Sequence, residues 1–221
     1  MIHLYSVLFF AASLAWVFYF SQRYSGTGRK DAGVAFTAGV LSAPVAGVIS
    51  YFLQTGFMGE EPLAGDGFHL YQFILYFFIV GPVEEGIKFL AFFLVVIRNL
   101  RVKKTHEAIL LGIATALGFA GAENILYLYA YGWQLTLPRL ILGNLGHAGY
   151  AVFWAYGMGA HLTENAPYHL IWAGLLAASI LHGMYNYFLS FSYSYAVVSF
   201  LTFAWVTFFM FRFLRVEVHR R

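Results

Sequence analysis

Glu84 and Glu85 stand side by side in an apolar stretch, just after Gly81-Pro82. Lys88 lies four residues beyond Glu84 and three beyond Glu85, so a helix brings the lysine against either carboxylate. One ammonium cannot neutralise two carboxylates. The surplus one must hold a proton, bind a metal or meet another polar group. Three other apolar stretches carry polar groups: Glu123-Asn124, His147, and His182 with Asn186 one turn later. The bland alternatives are a packing ion pair for Glu85-Lys88, an interhelical hydrogen bond for Asn124, and single hydrogen bonds for the histidines. Taken together, three glutamates and two histidines form an oxygen and nitrogen donor set without thiolate, since the chain has no cysteine. Such a set suits a divalent metal such as zinc, held by Glu123, His147 and His182 with a glutamate left as base. It suits metal-free activation of water by Glu and His equally well. No HExxH motif occurs.

The elements that must position these groups follow from composition. Of 221 residues, 61% are apolar and 10% charged, with a mean hydropathy of +0.70. Soluble domains are nearer a quarter charged, so a soluble enzyme or a nucleic-acid-binding domain is excluded and no nucleic-acid partner is expected. The lipid bilayer is the expected surrounding, with the chain multi-pass in it. Seven continuous apolar stretches, approximately 1–20, 33–53, 68–97, 107–130, 139–161, 169–190 and 193–214, read as transmembrane helices. They lack the alternation of a membrane barrel. The expected fold is all-α: one polytopic bundle over 1–221. The first stretch has no basic residue before it and no clear cleavage site after it, so it does not read as a signal peptide. The third stretch is interrupted by Gly81-Pro82 and reads as one long kinked helix or two half-spans.

Charge favours one span. Arg23, Arg29, Lys30, Arg98, Arg101, Lys103, Lys104, Arg212, Arg215, Arg220 and Arg221 then share one side, which is 11 of the 13 lysines and arginines. Arg139 falls on the other side, with Glu60, Glu61 and Asp66, and Lys88 lies inside. The positive-inside rule predicts an outer N-terminus and a cytoplasmic C-terminus. By the helical rise, Glu84, Glu123, His147 and His182 then share one layer, ~10 Å below the outer boundary. His3, His69, His106, His161, His169 and His219 lie at span ends or in loops and read as ordinary polar residues.

Four segments carry a resemblance: Glu84-Glu85-Gly86-Ile87-Lys88-Phe89, Gly118 to Tyr127 around Glu123-Asn124, His147 with Gly157 and Gly159, and Leu181-His182-Gly183-Met184-Tyr185-Asn186. Together and in this order they resemble the PrsW family of intramembrane proteases, within the superfamily of CAAX-processing and bacteriocin-immunity membrane proteins. The resemblance covers about 68–190; the first two spans and the last match only in hydrophobicity. It implies cleavage of a single-span membrane protein near its extracytoplasmic end, by analogy an anti-sigma factor, with Glu84, Glu85, Glu123, His147, His182 and Asn186 as catalytic candidates. Lys88 and Asn124 would support them. In that reading Glu84 activates water, Glu123 or His147 orients it or holds a metal, and His182 with Asn186 stabilises the oxyanion. Asn186 stands where the family often has Asp, and the CAAX-processing enzymes look similar at that point. The rival readings are a CAAX-type membrane protease, a proton- or metal-coupled transporter, and a non-enzymatic immunity protein. Against a transporter, the polar residues form a layer and not a path, and no inverted repeat is visible.

Overall fold

The computed structural model describes residues 2–24, 28–59, 66–99, 102–190 and 193–219. Glu60, Glu61, Arg101, Arg220 and Arg221, used above to orient the chain, lie outside the described residues. The chain is helical, and no strand occurs among the described residues. The helices are α1 (Ile2–Arg23), α2 (Arg29–Phe57), α3 (Asp66–Ile74), α4 (Gly81–Asn99), α5 (Thr105–Tyr131), α6 (Trp133–Thr136), α7 (Leu142–Glu164), α8 (His169–Leu189) and α9 (Tyr193–His219). A π-helical turn, Leu75–Val80, joins α3 to α4, and a 3-10 turn, Leu137–Leu140, follows α6. Among the described residues, four helices, against the seven spans expected, are long and apolar enough to cross a membrane: His3–Arg23, Lys30–Phe57, Thr105–Tyr131 and Val197–Arg215.

The third apolar stretch is one continuous helical rod from Asp66 to Asn99. Its irregularity is the π-turn, placed just before Gly81-Pro82. The Gly81 backbone N–H donates to the Tyr76 carbonyl five residues back, which defines the wider turn. Pro82 has no N–H to give, so it sits without loss where the regular ladder is already broken.

The middle of the bundle is α5. It is buried nearly all round from Thr105 to Gly121, and again at Asn124 and Leu128. The small residues Gly112, Ala114, Ala116, Gly118, Ala120 and Gly121 make this feasible, because neighbouring backbones come close. At the α2–α5 crossing, a Cβ on Gly118 would collide with the Phe36 carbonyl, and one on Gly39 with the Thr115 carbonyl. Around α5 pack Phe92, Tyr150, Trp154, Ala155 and Met158. His106, read from the sequence as a span-end residue, is buried in the first turn of α5.

A second tight crossing fixes the functional geometry. Gly81 meets α8 so closely that a Cβ there would lie 2.5 Å from the Ser179 carbonyl oxygen. A Cβ on Gly183 would lie 2.6 Å from the Tyr76 carbonyl oxygen. Backbone contact at this point holds His182, next to Gly183, against Glu84 and Glu85, three and four residues past Gly81.

Candidate active site

Four helices each bring polar side chains to one place: α4 gives Glu84, Glu85 and Lys88, α5 gives Glu123 and Asn124, α7 gives His147, and α8 gives His182 and Asn186. Lys88 Nζ donates to Glu85 Oε1 at 2.5 Å and to His147 Nδ1 at 2.9 Å. An ammonium can only donate, so Nδ1 of His147 accepts and its Nε2–H donates to Glu123 Oε2 at 2.8 Å. His182 Nδ1–H donates to Glu85 Oε1 at 2.9 Å. The second Glu85 oxygen accepts from Trp154 Nε1 at 3.1 Å. Lys88 also lies 4.7 Å from the centre of the Phe119 ring.

The two adjacent glutamates therefore differ. Glu85 is fully buried and satisfied by Lys88, His182 and Trp154. A carboxylate with three donors is held in one orientation and has little left to offer a substrate. Glu84 is the surplus carboxylate. Its Oε2 is buried without a hydrogen-bond partner, 3.7 Å from His182 Nε2. Glu85 takes His182 Nδ1, which leaves Nε2 as the ring nitrogen that faces Glu84.

Arg139 takes part, although the sequence reading placed it apart as the lone basic residue on the outer side. Its Nη2 meets Glu123 Oε2 at 2.5 Å, and its Nε donates to Asn124 Oδ1 at 3.0 Å. The guanidinium lies over the Tyr127 ring, 3.8 Å from its centre. Asn144 ties this corner together: its Oδ1 accepts from Ser13 Oγ at 2.9 Å and lies 3.4 Å from Asn124 Nδ2, while its Nδ2 donates to the Leu140 carbonyl at 2.8 Å. Arg139, Asn144, Trp154 and Tyr150 were not legible as site residues. The only signal was Arg139's isolation in an apolar neighbourhood; an aromatic residue in a membrane helix gives none.

The donor set expected for a metal changes by one residue. Ligand atoms of Glu84, His147 and His182 lie within 4.8 Å of one another, and Glu84 replaces the expected Glu123. The physical reason is that Glu123 is already neutralised by Arg139 and bonded to His147. One carboxylate and two imidazoles suit a divalent ion such as zinc. Two details support the fit: the unpartnered Glu84 Oε2, and the Glu85 carboxylate behind His182, the usual partner of a metal-bound imidazole. His147 would have to release one of its present partners to join.

Asn186 lines a small cavity with Arg139, Leu142, Gly143, Gly146, His147, Tyr150, His182 and Tyr185. The arrangement supplies a buried carboxylate with a free oxygen, an imidazole nitrogen facing it, and a cavity bordered by hydrogen-bonding side chains. This is what addition of water to a carbonyl requires.

Comparison with known proteins agrees. A relative from Shouchella clausii named Protease PrsW is 33% identical over 135 residues, covering 59% of this chain and 62% of its own length. The chain thus spans about three fifths of that relative. Another of the same name, from Halalkalibacterium halodurans, is 30% identical over 178 residues, 80% of this chain and 78% of its own length. One from Bacillus subtilis is 28% identical over 138 residues, 61% of this chain and 63% of its own length. No solved structure matches. The model of the PrsW family of intramembrane metalloproteases matches residues 30–214, so it takes in α2 and most of α9 beyond the 68–190 core that the polar motifs marked. With that match over most of its length, the chain belongs to the PrsW family of intramembrane metalloproteases.

Proposed function

We propose that this chain is an intramembrane endopeptidase that cleaves a single-span membrane protein near the extracytoplasmic end of its helix. The observation that carries the reading is the pair of neighbouring glutamates with opposite environments. Glu85 is locked by three donors, and Glu84 keeps a buried oxygen without a partner beside His182 Nε2. Glu84 takes a proton from water as the oxygen adds to the scissile carbonyl. Asn186, bordering the cavity, donates a hydrogen bond to the oxyanion, and Glu85 holds the His182 ring in place. Glu84 then returns the proton to the leaving amine. Lys88 pairs with Glu85 and fixes it in place, and Arg139 does the same for Glu123. Where Glu84, His147 and His182 hold a divalent ion, that ion would supply Lewis-acid polarisation and a lower pKa for its water, and Glu84 would then serve as a ligand in place of its role as base.

The substrate direction rests on charge. With the basic residues in the cytoplasm, the N-terminus is outside and the site lies nearer the outer surface. An extended peptide reaches it from that side after unwinding a few residues. From the cytoplasm it would cross most of the core with unpaired backbone groups. An anti-sigma factor is the substrate suggested by the family resemblance, and the cell membrane is the expected location.

The test is co-expression with a single-span reporter, tagged at both ends and carrying Gly-Pro near the outer end of its helix. The new termini are mapped by mass spectrometry. Cuts at the outer end that vanish in Glu84→Gln are the expected result. Cuts at the cytoplasmic end would overturn the orientation. Cuts that persist in Glu84→Gln would overturn the role of Glu84, and an intact reporter would overturn the protease reading.

A further inference from the structure

Tyr150 has no role in the chemistry above, yet it is built into the same place. It follows His147 by three residues on α7 and is 1% exposed. Its ring stacks on the His182 imidazole, with centroids 5.0 Å apart and planes 15° from parallel. The His147 ring meets it edge-on at 6.4 Å. Its hydroxyl is buried without a hydrogen-bond partner. A hydroxyl desolvated in this way is unfavourable in the resting protein, and a phenylalanine would fill the same space without that loss.

The direction of the hydroxyl is informative. A Cβ on Gly146 would lie 3.6 Å from it, so the phenol leans back over the preceding turn of α7. There it borders the cavity shared with Arg139, Gly143, His147, His182 and Asn186. That cavity holds about 10 Å³, space for one small group such as a carbonyl oxygen or a water. Gly143 and Gly146 keep side chains out of it. Glu84 Oε2 and Tyr150 Oη are thus the fully buried polar atoms of the cluster that lack a hydrogen-bond partner, one an acceptor and the other able to donate.

We propose that the Tyr150 hydroxyl is a catalytic hydrogen-bond donor to the scissile carbonyl oxygen, acting beside Asn186 across the small cavity. This rests on the protease reading of the site and adds to it the residue that receives the developing negative charge. Water adds to the carbonyl carbon, its proton passes to Glu84, and the carbonyl π pair becomes the oxyanion. Tyr150 donates a hydrogen bond to that oxygen and keeps its own proton, because a phenol ordinarily ionises near pH 10. The interaction strengthens as charge builds, so it acts mainly on turnover.

The experiment compares wild type, Tyr150→Phe and Glu84→Gln, each purified as the full chain and reconstituted in liposomes with the tagged reporter. Tyr150→Phe keeps the ring on His182 and removes one atom. The expected result is a kcat on the order of 10²-fold lower with KM little changed. The melting temperature should be unchanged or higher, because the lost hydroxyl had no partner. A wild-type kcat in Tyr150→Phe overturns the proposal while leaving the protease reading intact, provided Glu84→Gln is inactive. A loss of rate accompanied by a lower melting temperature assigns the hydroxyl a structural role and overturns it too. Absence of cleavage by wild type overturns the protease reading and this proposal with it.

Discussion

The helices α5 and α7 share two polar clusters, one near each end, and the two are built on opposite principles. At the start of α5, Thr105 Oγ1 donates to Glu164 Oε1 at 2.6 Å and lies 2.9 Å from Thr163 Oγ1. Thr163 in turn donates to the Gly159 carbonyl at 3.0 Å. The Lys103 backbone N–H caps onto Glu107 Oε2 at 2.7 Å. The Lys103 bond satisfies a free backbone group at the helix start, and the threonine bonds tie the start of α5 to the end of α7. At the other end, Glu123 of α5 and His147 of α7 join groups from α4, α8 and the 3-10 turn. That cluster holds more charge, is more deeply buried, and still leaves Glu84 Oε2 and Tyr150 Oη without partners. A clamp satisfies its members. A reactive site keeps some unsatisfied until a substrate arrives.

The strongest way to break this comparison is at Glu84. Glu84→Gln keeps the size and removes the basic oxygen; reporter cleavage should fall about 10³-fold or more, with normal insertion and melting. Equal activity would reduce the cluster to packing. Next, His182→Ala and His147→Ala should each lower the rate on the order of 10²-fold, measured as initial cleavage rates in liposomes. With a divalent ion in use, chelator should inhibit wild type and zinc should restore it. Insensitivity to chelator would favour water activation by Glu84 and His182 alone.

Glu85→Gln sharpens the contrast between neighbours. It leaves Lys88 buried without a full counter-charge, so a destabilisation of about 3 kcal/mol is expected in chemical or thermal unfolding. Glu84→Gln should show no comparable loss. If the two glutamines melt alike, the division of labour assigned to the pair is wrong. At the opposite end, Thr105→Ala should cost about 1 kcal/mol and leave the rate per folded molecule unchanged. Smallest of all, exposed His169→Ala should alter neither rate nor melting.

Much of this site was legible because a bilayer makes polar groups conspicuous. Glu84, Glu85, Lys88, Glu123, His147, His182 and Asn186 stand out against apolar neighbours, and a helical repeat puts Lys88 beside either glutamate. The same contrast hides aromatic partners. Trp154 and Tyr150 look like any other membrane aromatic until Trp154 Nε1 is found on Glu85 and the Tyr150 ring on His182. Arg139 was visible only as a charge at the outer end of its stretch, and its place on Glu123 depends on residues 133–140 folding back onto the bundle.

Sequence by itself determined the all-helical class, the seven apolar stretches, the donor types available and the single span over 68–97, because each depends on composition, charge or spacing along one chain. Tertiary structure decided which glutamate is locked and which is free, since that turns on Trp154 and His182, which lie 69 and 97 residues away from Glu85. It also exchanged Glu123 for Glu84 among the metal-capable donors, because Arg139 reaches Glu123 only through the fold of residues 133–140. Periodicity reports which face a side chain occupies. It cannot report what the facing helix brings, and in a buried site the facing groups set the chemistry.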